Sequence, residues 1–204
     1  TVALFNGCGG MSSLLVAIGV VLFQSKTDQS LMTIDLVGGI SIVVSVFVGA
    51  ITFSGSIVAM AKLQGWLSTP AWTQSKLRHA FNLAFASLSI VGAIGLFMGG
   101  DNGLWLLVIG SSLLGVGVTL SIGGADMPVV ISLLNSYSGV AAAAAGFVVQ
   151  SQLLIVAGAM VGAAGLILTQ VMCKGMNRSL ISVLFGGALG SSSAMAGTEV
   201  KEYT

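Results

Sequence analysis

The sequence runs to 204 residues, of which 55% are hydrophobic and only 6% charged, with a net charge of +1. A water-soluble domain carries about a quarter charged residues, so this chain has too little polar surface to face water and its solvent is lipid. The few basic residues are scattered, which excludes a nucleic-acid footprint. Cys8 and Cys173 sit in apolar stretches without metal or disulfide spacing and read as small hydrophobes.

Six apolar runs follow one another at Val2–Gln24, Leu36–Ala61, Ala80–Met98, Leu104–Ile122, Val129–Val149 and Leu153–Cys173. Each is close to the roughly 20 residues that a helix needs to cross about 30 Å of hydrocarbon. Barrel strands of about ten alternating residues do not fit. The predicted fold is an all-α membrane protein, a bundle of six transmembrane helices forming part of a larger bundle. The breaks at Gln24–Gln29, Gln64–Arg78, Gly99–Gly103, Gly123–Pro128 and Gln150–Gln152 have turn chemistry and are too short for another domain. The second and fourth breaks and the C-terminal flank share one side and hold Lys62, Lys76, Arg78, Lys174 and Arg178. The positive-inside rule puts that side in the cytoplasm, or in the matrix of a mitochondrion. Trp66, Trp72 and Trp105 fall at span ends, as an aromatic belt requires.

Neither end reads as a natural terminus. No initiator Met or basic leader precedes the first run, and the chain turns polar after Ala194. The expected organisation is a transmembrane domain over residues 1–185 and a linker over 186–204 toward a further soluble domain.

Small and polar residues recur at helical spacing in four spans. They are Asn6, Gly10, Ser13 and Ala17 in the first, Gly38, Ser41, Ser45, Gly49, Thr52 and Ser56 in the second, Ser132, Asn135, Gly139, Ala142 and Gly146 in the fifth, and Gly158, Gly162, Gly165 and Thr169 in the sixth. Close helix packing accounts for most of these. Asn6 and Asn135 ask for more, because an amide in hydrocarbon is costly unless it meets a partner or water. Asn135 lies nine residues past Asp126, about 13 Å into the membrane at 1.5 Å per residue. No Asp, Glu or Lys sits deep in a span. A proton path would therefore run through water held by Ser, Asn and Tyr137, or borrow a titratable group from another subunit.

Asp126 precedes Pro128 at the start of the fifth span, where an acidic N-cap and a first-turn proline suit a helix start. Capping and a functional role stand side by side for it. His79 reads as an interfacial residue beside Arg78. Lys174 and Arg178 suit the negative end of the sixth helix dipole. Gly7, Gly9 and Gly10 lie inside an apolar helix and Gly186, Gly187 and Gly190 follow one, so neither set is a dinucleotide fingerprint. The sequence holds no nucleophile–base pair, metal spacing or phosphate loop, and no catalytic, cofactor-binding or metal residue is assigned to this chain.

Three stretches carry a family resemblance: Ile122-Gly-Gly-Ala-Asp-Met-Pro-Val-Val130 with Leu134-Asn-Ser-Tyr-Ser-Gly139 and the Ala141–Ala145 run, Met172-Cys-Lys-Gly-Met-Asn-Arg-Ser179, and Phe53-Ser-Gly-Ser-Ile-Val-Ala-Met-Ala-Lys-Leu63. They resemble the membrane domain of proton-translocating nicotinamide nucleotide transhydrogenase, beta subunit. The resemblance covers nearly the whole chain and is densest from Gly123 to Gly187.

It implies an enzyme that moves hydride between NADH and NADP⁺ while a proton crosses the membrane. NAD(H) and NADP(H) would bind soluble domains outside the bilayer. The NADP-binding domain would follow Thr204, and the NAD-binding domain would belong to a partner alpha subunit that adds its own transmembrane helices. The complex would be a dimer of protomers in a bacterial inner (plasma) membrane, with the mitochondrial inner membrane as the alternative. The family's proton path would fall on Asn6, Ser56 and Asn135, and its gate toward the NADP domain on Asp126, Lys174 and Arg178. Many members carry His where this chain has Asn6, and Asn does not titrate near neutral pH. A stand-alone secondary transporter or channel for a small solute is the rival reading, marked by inverted repeats and helices broken at mid-membrane. A scaffold that only anchors soluble domains is the third.

Overall fold

The computed structural model describes residues 1–26, 36–67, 77–98 and 101–185. Trp72, Lys76 and the expected linker at 186–204 lie outside them. The chain forms α1 (Val2–Lys26), α2 (Leu36–Leu63), α3 (Leu77–Phe97), α4 (Asp101–Leu120), α5 (Met127–Val148), α6 (Gln152–Gly175) and the short α7 (Leu180–Phe185). The first six are long and apolar enough to cross a membrane. They match the six predicted spans, with ends shifted by up to three residues. The shifts are largest where polar residues such as Arg78 and Asn102 continue a helix into the interface, because backbone hydrogen bonding does not stop where hydropathy falls.

Three helices end on a residue with left-handed backbone: Gly65 after α2, Gln150 after α5 and Asn177 after α6 (φ 73°, 55° and 51°). In each the next amide reaches back five residues: Trp66 N to Ala61 O, Ser151 N to Gly146 O, and Arg178 N to Cys173 O, at 2.9 to 3.0 Å. This closure satisfies terminal carbonyls that lipid would leave bare.

α5 and α2 form the centre. α5 packs against α1, α2 and α6, and α2 against α1, α4 and α5, while α3 leans almost wholly on α4. Accordingly, 61% of the central stretch of α5 is buried but only 17% of that of α3. One core cluster gathers Leu14, Ile42, Val46, Leu104 and Leu107 between α1, α2 and α4. A second gathers Ala59, Met127, Val129, Val130, Cys173 and Val183 near the cation-bearing end.

The small-residue stripes are what let the helices meet. A β-carbon on Gly10 would sit 2.9 Å from Gly49 O, and one on Gly49 would sit 2.9 Å from Gly10 O, so α1 and α2 touch backbone to backbone. Gly139, Gly158, Gly162 and Gly165 do the same for α5 and α6. Ser132 and Ser136 of α5 then donate to Gly165 O at 3.2 Å and Gly162 O at 2.7 Å. The stripe on α6 is therefore a packing seam, as the sequence suggested.

Gly139→Leu should drive a side chain into the α6 backbone and lower stability by at least about 2 kcal/mol, the scale of overpacking. Gly19→Ala, which meets nothing within 4 Å, should leave the melting temperature in detergent unchanged. Equal melting temperatures for the two variants would refute the seam.

Candidate functional site

A cavity of about 650 Å³ is walled by α1, α5 and α6 near the cation-bearing end, and Asn6, Ser132, Asn135 and Ser138 supply its polar groups. It exists because α1 and α6 both pack on α5 but scarcely on each other, leaving a cleft over one face of α5. Phe5, Ile131 and Leu168 complete an otherwise apolar wall. Asn6 is buried and Asn135 half-buried.

Ser56 does not line this cavity. It is fully buried behind Asn6, and Asn6 Nδ2 donates to Ser56 Oγ at 3.0 Å. Asn6 Oδ1 has no hydrogen-bond partner among the described residues. The three residues expected on a proton path thus fall into two settings: two amides on one cavity, and a hydroxyl that orients one of them. Tyr137 faces elsewhere. Two residues on from Asn135, it turns to the opposite side of α5 and lines a different cavity with Arg78 and His79, so the expectation that it holds water beside Asn135 is not met.

The charged group lies at the same end of the bundle. A single 3₁₀ turn, Gly124–Asp126, leads into α5, and Pro128 occupies the first turn as expected. Asp126 stands at the N-cap position but its carboxylate caps nothing. Instead Oδ2 accepts from Arg178 Nη1 at 2.9 Å, and Oδ1 has no partner among the described residues. The capping role foreseen for Asp126 is thereby replaced by an ion pair. Asn177 makes that pair possible, since its left-handed backbone turns the chain after α6 and returns Arg178 toward α5. The carboxylate is largely enclosed while the guanidinium is about half exposed, at 12% and 55% of their side-chain surfaces. Lys174 is exposed one turn earlier and does not join the pair. Pro128 and Met172, two residues from Asp126 and Lys174 in sequence, line the cavity, so the cavity and the ion pair share one end of α5 and α6.

Sequence reasoning missed two groups. Lys62 Nζ donates to Leu120 O and, at 2.7 Å, to Ile122 O. It thereby ties the end of α2 to the closing carbonyls of α4 and to the glycine turn before Asp126. Its only advance signal was a lysine in the last turn of α2. Arg78, read only as one of the cations that orient the bundle, is buried at 3% exposure. Gly7, Gly9 and Gly10 lie within α1, where Gly7 and Gly10 face α2 and Gly9 faces Ser138 of α5, so they serve packing and offer no cradle to a nucleotide. Among the described residues no His, Cys, Asp or Glu cluster could hold a metal ion.

Continuous helices that carry amides into an apolar interior, with a charged pair at one end, define an integral membrane domain. The family follows from comparison: the family model described as NAD(P) transhydrogenase beta subunit matches residues 1–204, and the chain belongs to that family. Two curated relatives from Rhodospirillum rubrum, each named NAD(P) transhydrogenase subunit beta, are 42% identical to it over 196 residues, or 96% of this chain. The chain spans 42% of the length of those relatives.

The Asn6–Ser56 bond sets a double-mutant test. Ser56→Ala strands the amide, whereas Asn6→Leu with Ser56→Ala removes both partners. The coupling between the two substitutions should be about 0.6 kcal/mol and at most about 1.7 kcal/mol, the range of interhelical hydrogen bonds in membranes. Additive effects on detergent melting would show that the bond contributes nothing.

Proposed function

We propose that this chain is the proton-conducting membrane portion of a transhydrogenase that couples hydride transfer between NADH and NADP⁺ to proton movement across the membrane. The observation that carries this reading is that Asn6 and Asn135 open on one cavity, at the end of α5 that also carries the Asp126–Arg178 pair. Amides hold and order water but do not themselves take up a proton near neutral pH. Neither Asp, Glu, Lys, Arg nor His is found in the middle of a described span. A titratable group then has to come from outside the chain. The open side of the cavity, between α1 and α6, is where a helix of the alpha subunit would bring it.

Asp126, Arg178 and Lys174 form the gate in this reading. The NADP-binding domain would follow Thr204 on the side where α6 ends, close to the pair. NADP(H) occupancy and proton position are coupled if both bias one two-state element, and an ion pair between the start of α5 and the end of α6 is such an element. The hydride chemistry belongs to soluble domains beyond this chain, with NAD(H) held by the alpha subunit. The complex works as a dimer in a bacterial inner membrane with this end of the bundle in the cytoplasm. That orientation follows from Lys62, Arg78, Lys174 and Arg178 all lying at one end. A solute transporter would favour helices broken at mid-membrane, whereas α1 to α6 are continuous helices.

Proton uptake driven by NADH and NADP⁺ in proteoliposomes of the whole complex should be present in the wild type and abolished by Asn135→Leu. Hydride transfer without proton movement in the wild type would reduce the domain to a scaffold.

Asp126→Asn should change NADP(H) affinity, measured by calorimetry on the complex, and loosen coupling. Its stability cost should be no more than about 1 kcal/mol, because the partner guanidinium is half exposed. Unchanged affinity and unchanged coupling would remove Asp126 from the gate.

A further inference from the structure

The left-handed closure that ends α2, α5 and α6 does not occur at the end of α4. Gly123, three residues past Leu120, is extended instead, with φ −66° and ψ 152°. The carbonyls of Leu120 and Ile122 accept from Lys62 Nζ. A cation suits the negative end of a helix, and a lysine stem in the last turn of α2 is long enough to bring it there.

Little crowds the turn that follows. β-Carbons on Gly123 and Gly124 would meet nothing within 4 Å. Ile122, just before them, is buried in one cluster with Ala59, Met127, Val130 and Cys173. Two residues beyond Gly124 stands Asp126, whose amide donates to Gly123 O at 3.1 Å, so turn and carboxylate move as one piece. The carboxylate that meets Arg178 at 2.9 Å therefore takes its position from how Ile122 is held.

Lys62 shares its helix with the cavity. Six residues earlier α2 carries Ser56, about 9 Å away at 1.5 Å per residue. Ser56 accepts from the Asn6 amide, and Leu63 lines the same cavity as Asn6 and Asn135. One continuous helix thus touches a cavity amide at one point and the turn before Asp126 at another.

We propose that Lys62 is a positioning residue for the gate, a deepening that rests on the gate reading of Asp126 above. It pins the α4–α5 turn to α2, so that a shift of α2 felt at Asn6 moves Asp126 relative to Arg178. A rigid element that both sites bias is what coupling between them requires.

The chain carries its own reporter of the tether, since Cys173 is a buried thiol in the cluster that holds Ile122, whereas Cys8 is exposed on α1. The test uses the complete membrane complex in proteoliposomes, labelled with N-ethylmaleimide and mapped by peptide. Lys62→Met keeps an apolar stem and removes the donor. It should raise the labelling rate of Cys173 about tenfold, the shift expected from one lost hydrogen bond to a charged group, and leave that of Cys8 unchanged. Lys62→Arg, which keeps a cation and its donors, should stay near the wild type. NADP(H) affinity should move in the same direction as in Asp126→Asn, with the double variant no worse than Asp126→Asn alone. Should Lys62→Met fail to assemble, Lys62→Gln takes its place under the same criteria. Unchanged Cys173 labelling, or an equal rise in Lys62→Arg, would overturn the tether. Faster labelling with wild-type NADP(H) affinity, where Asp126→Asn does shift it, would reduce Lys62 to a helix cap and overturn its positioning role. An Asp126→Asn variant without effect on affinity would sink the gate reading itself, and the labelling would still decide the tether.

Discussion

Hydrocarbon offers no hydrogen-bond partner, and that constraint governs every polar side chain in the bundle. Most of the buried hydroxyls meet it in one of two ways. Ser54 and Ser89 donate to the carbonyl four residues back in their own helices, at 2.9 Å, and so behave toward neighbours as small apolar groups. Ser45, Ser132 and Ser136 reach across to another helix, to Ser13 O, Gly165 O and Gly162 O. These bonds stitch α2 to α1 and α5 to α6 at the same seams that the glycines allow to close. Among the described residues, Asn6 Oδ1, Thr52 Oγ1 and Asp126 Oδ1 are buried without a bond to one another or to the rest. Asn6 lines the cavity, and Asp126 lies at the same end of the bundle.

That division separates structure from candidate chemistry better than polarity alone. A stripe of serines and glycines on a membrane helix is ambiguous, because packing and a hydrated path require the same residue types. In this bundle the α5 stripe resolves along its length. Ser132, Gly139 and Gly146 meet α6, and Asn135, between them in sequence, looks into the cavity. The charged end is organised by backbone. Asn177 turns the chain, Arg178 follows, and Asp126 at the end of the glycine turn receives it. Lys62 holds the other side of that turn, so α2, α4, α5 and α6 all converge on a few residues.

Much of this was legible before the coordinates. Spans of about 20 apolar residues admit one local structure in lipid, so the six helices and the family resemblance were both readable. The stripes singled out Asn6 and Asn135, as amides in otherwise apolar or small runs, whereas Ser56 stood out from its stripe only through the family resemblance. Three things were not legible. Asp126 looked like a helix cap, because the sequence cannot show that Arg178, fifty-two residues later, turns back to take its carboxylate. Tyr137 looked like a companion of Asn135, but two residues along a helix is a rotation of about 200°, enough to carry it to another cavity. The burial of Arg78 was hidden because a basic residue at a span end has the same local pattern whether it faces water or, as here, lines a cavity with residues of α4 and α5.

The central position of α2 and α5 bears on how the chain is made. α2 leaves the ribosome with α1, but its other main partner, α5, begins only at Met127, after the whole α3–α4 hairpin. At translation speeds of about 5–20 residues per second, one flank of α2, with the hydroxyl of Ser45 that also lies within 3.4 Å of Ala141 O of α5, waits seconds for its partner. Membrane insertion of this protein is thus a matter of keeping a seat free: the hairpin must settle against α4's side of α2 and leave the adjoining face unclaimed until α5 arrives.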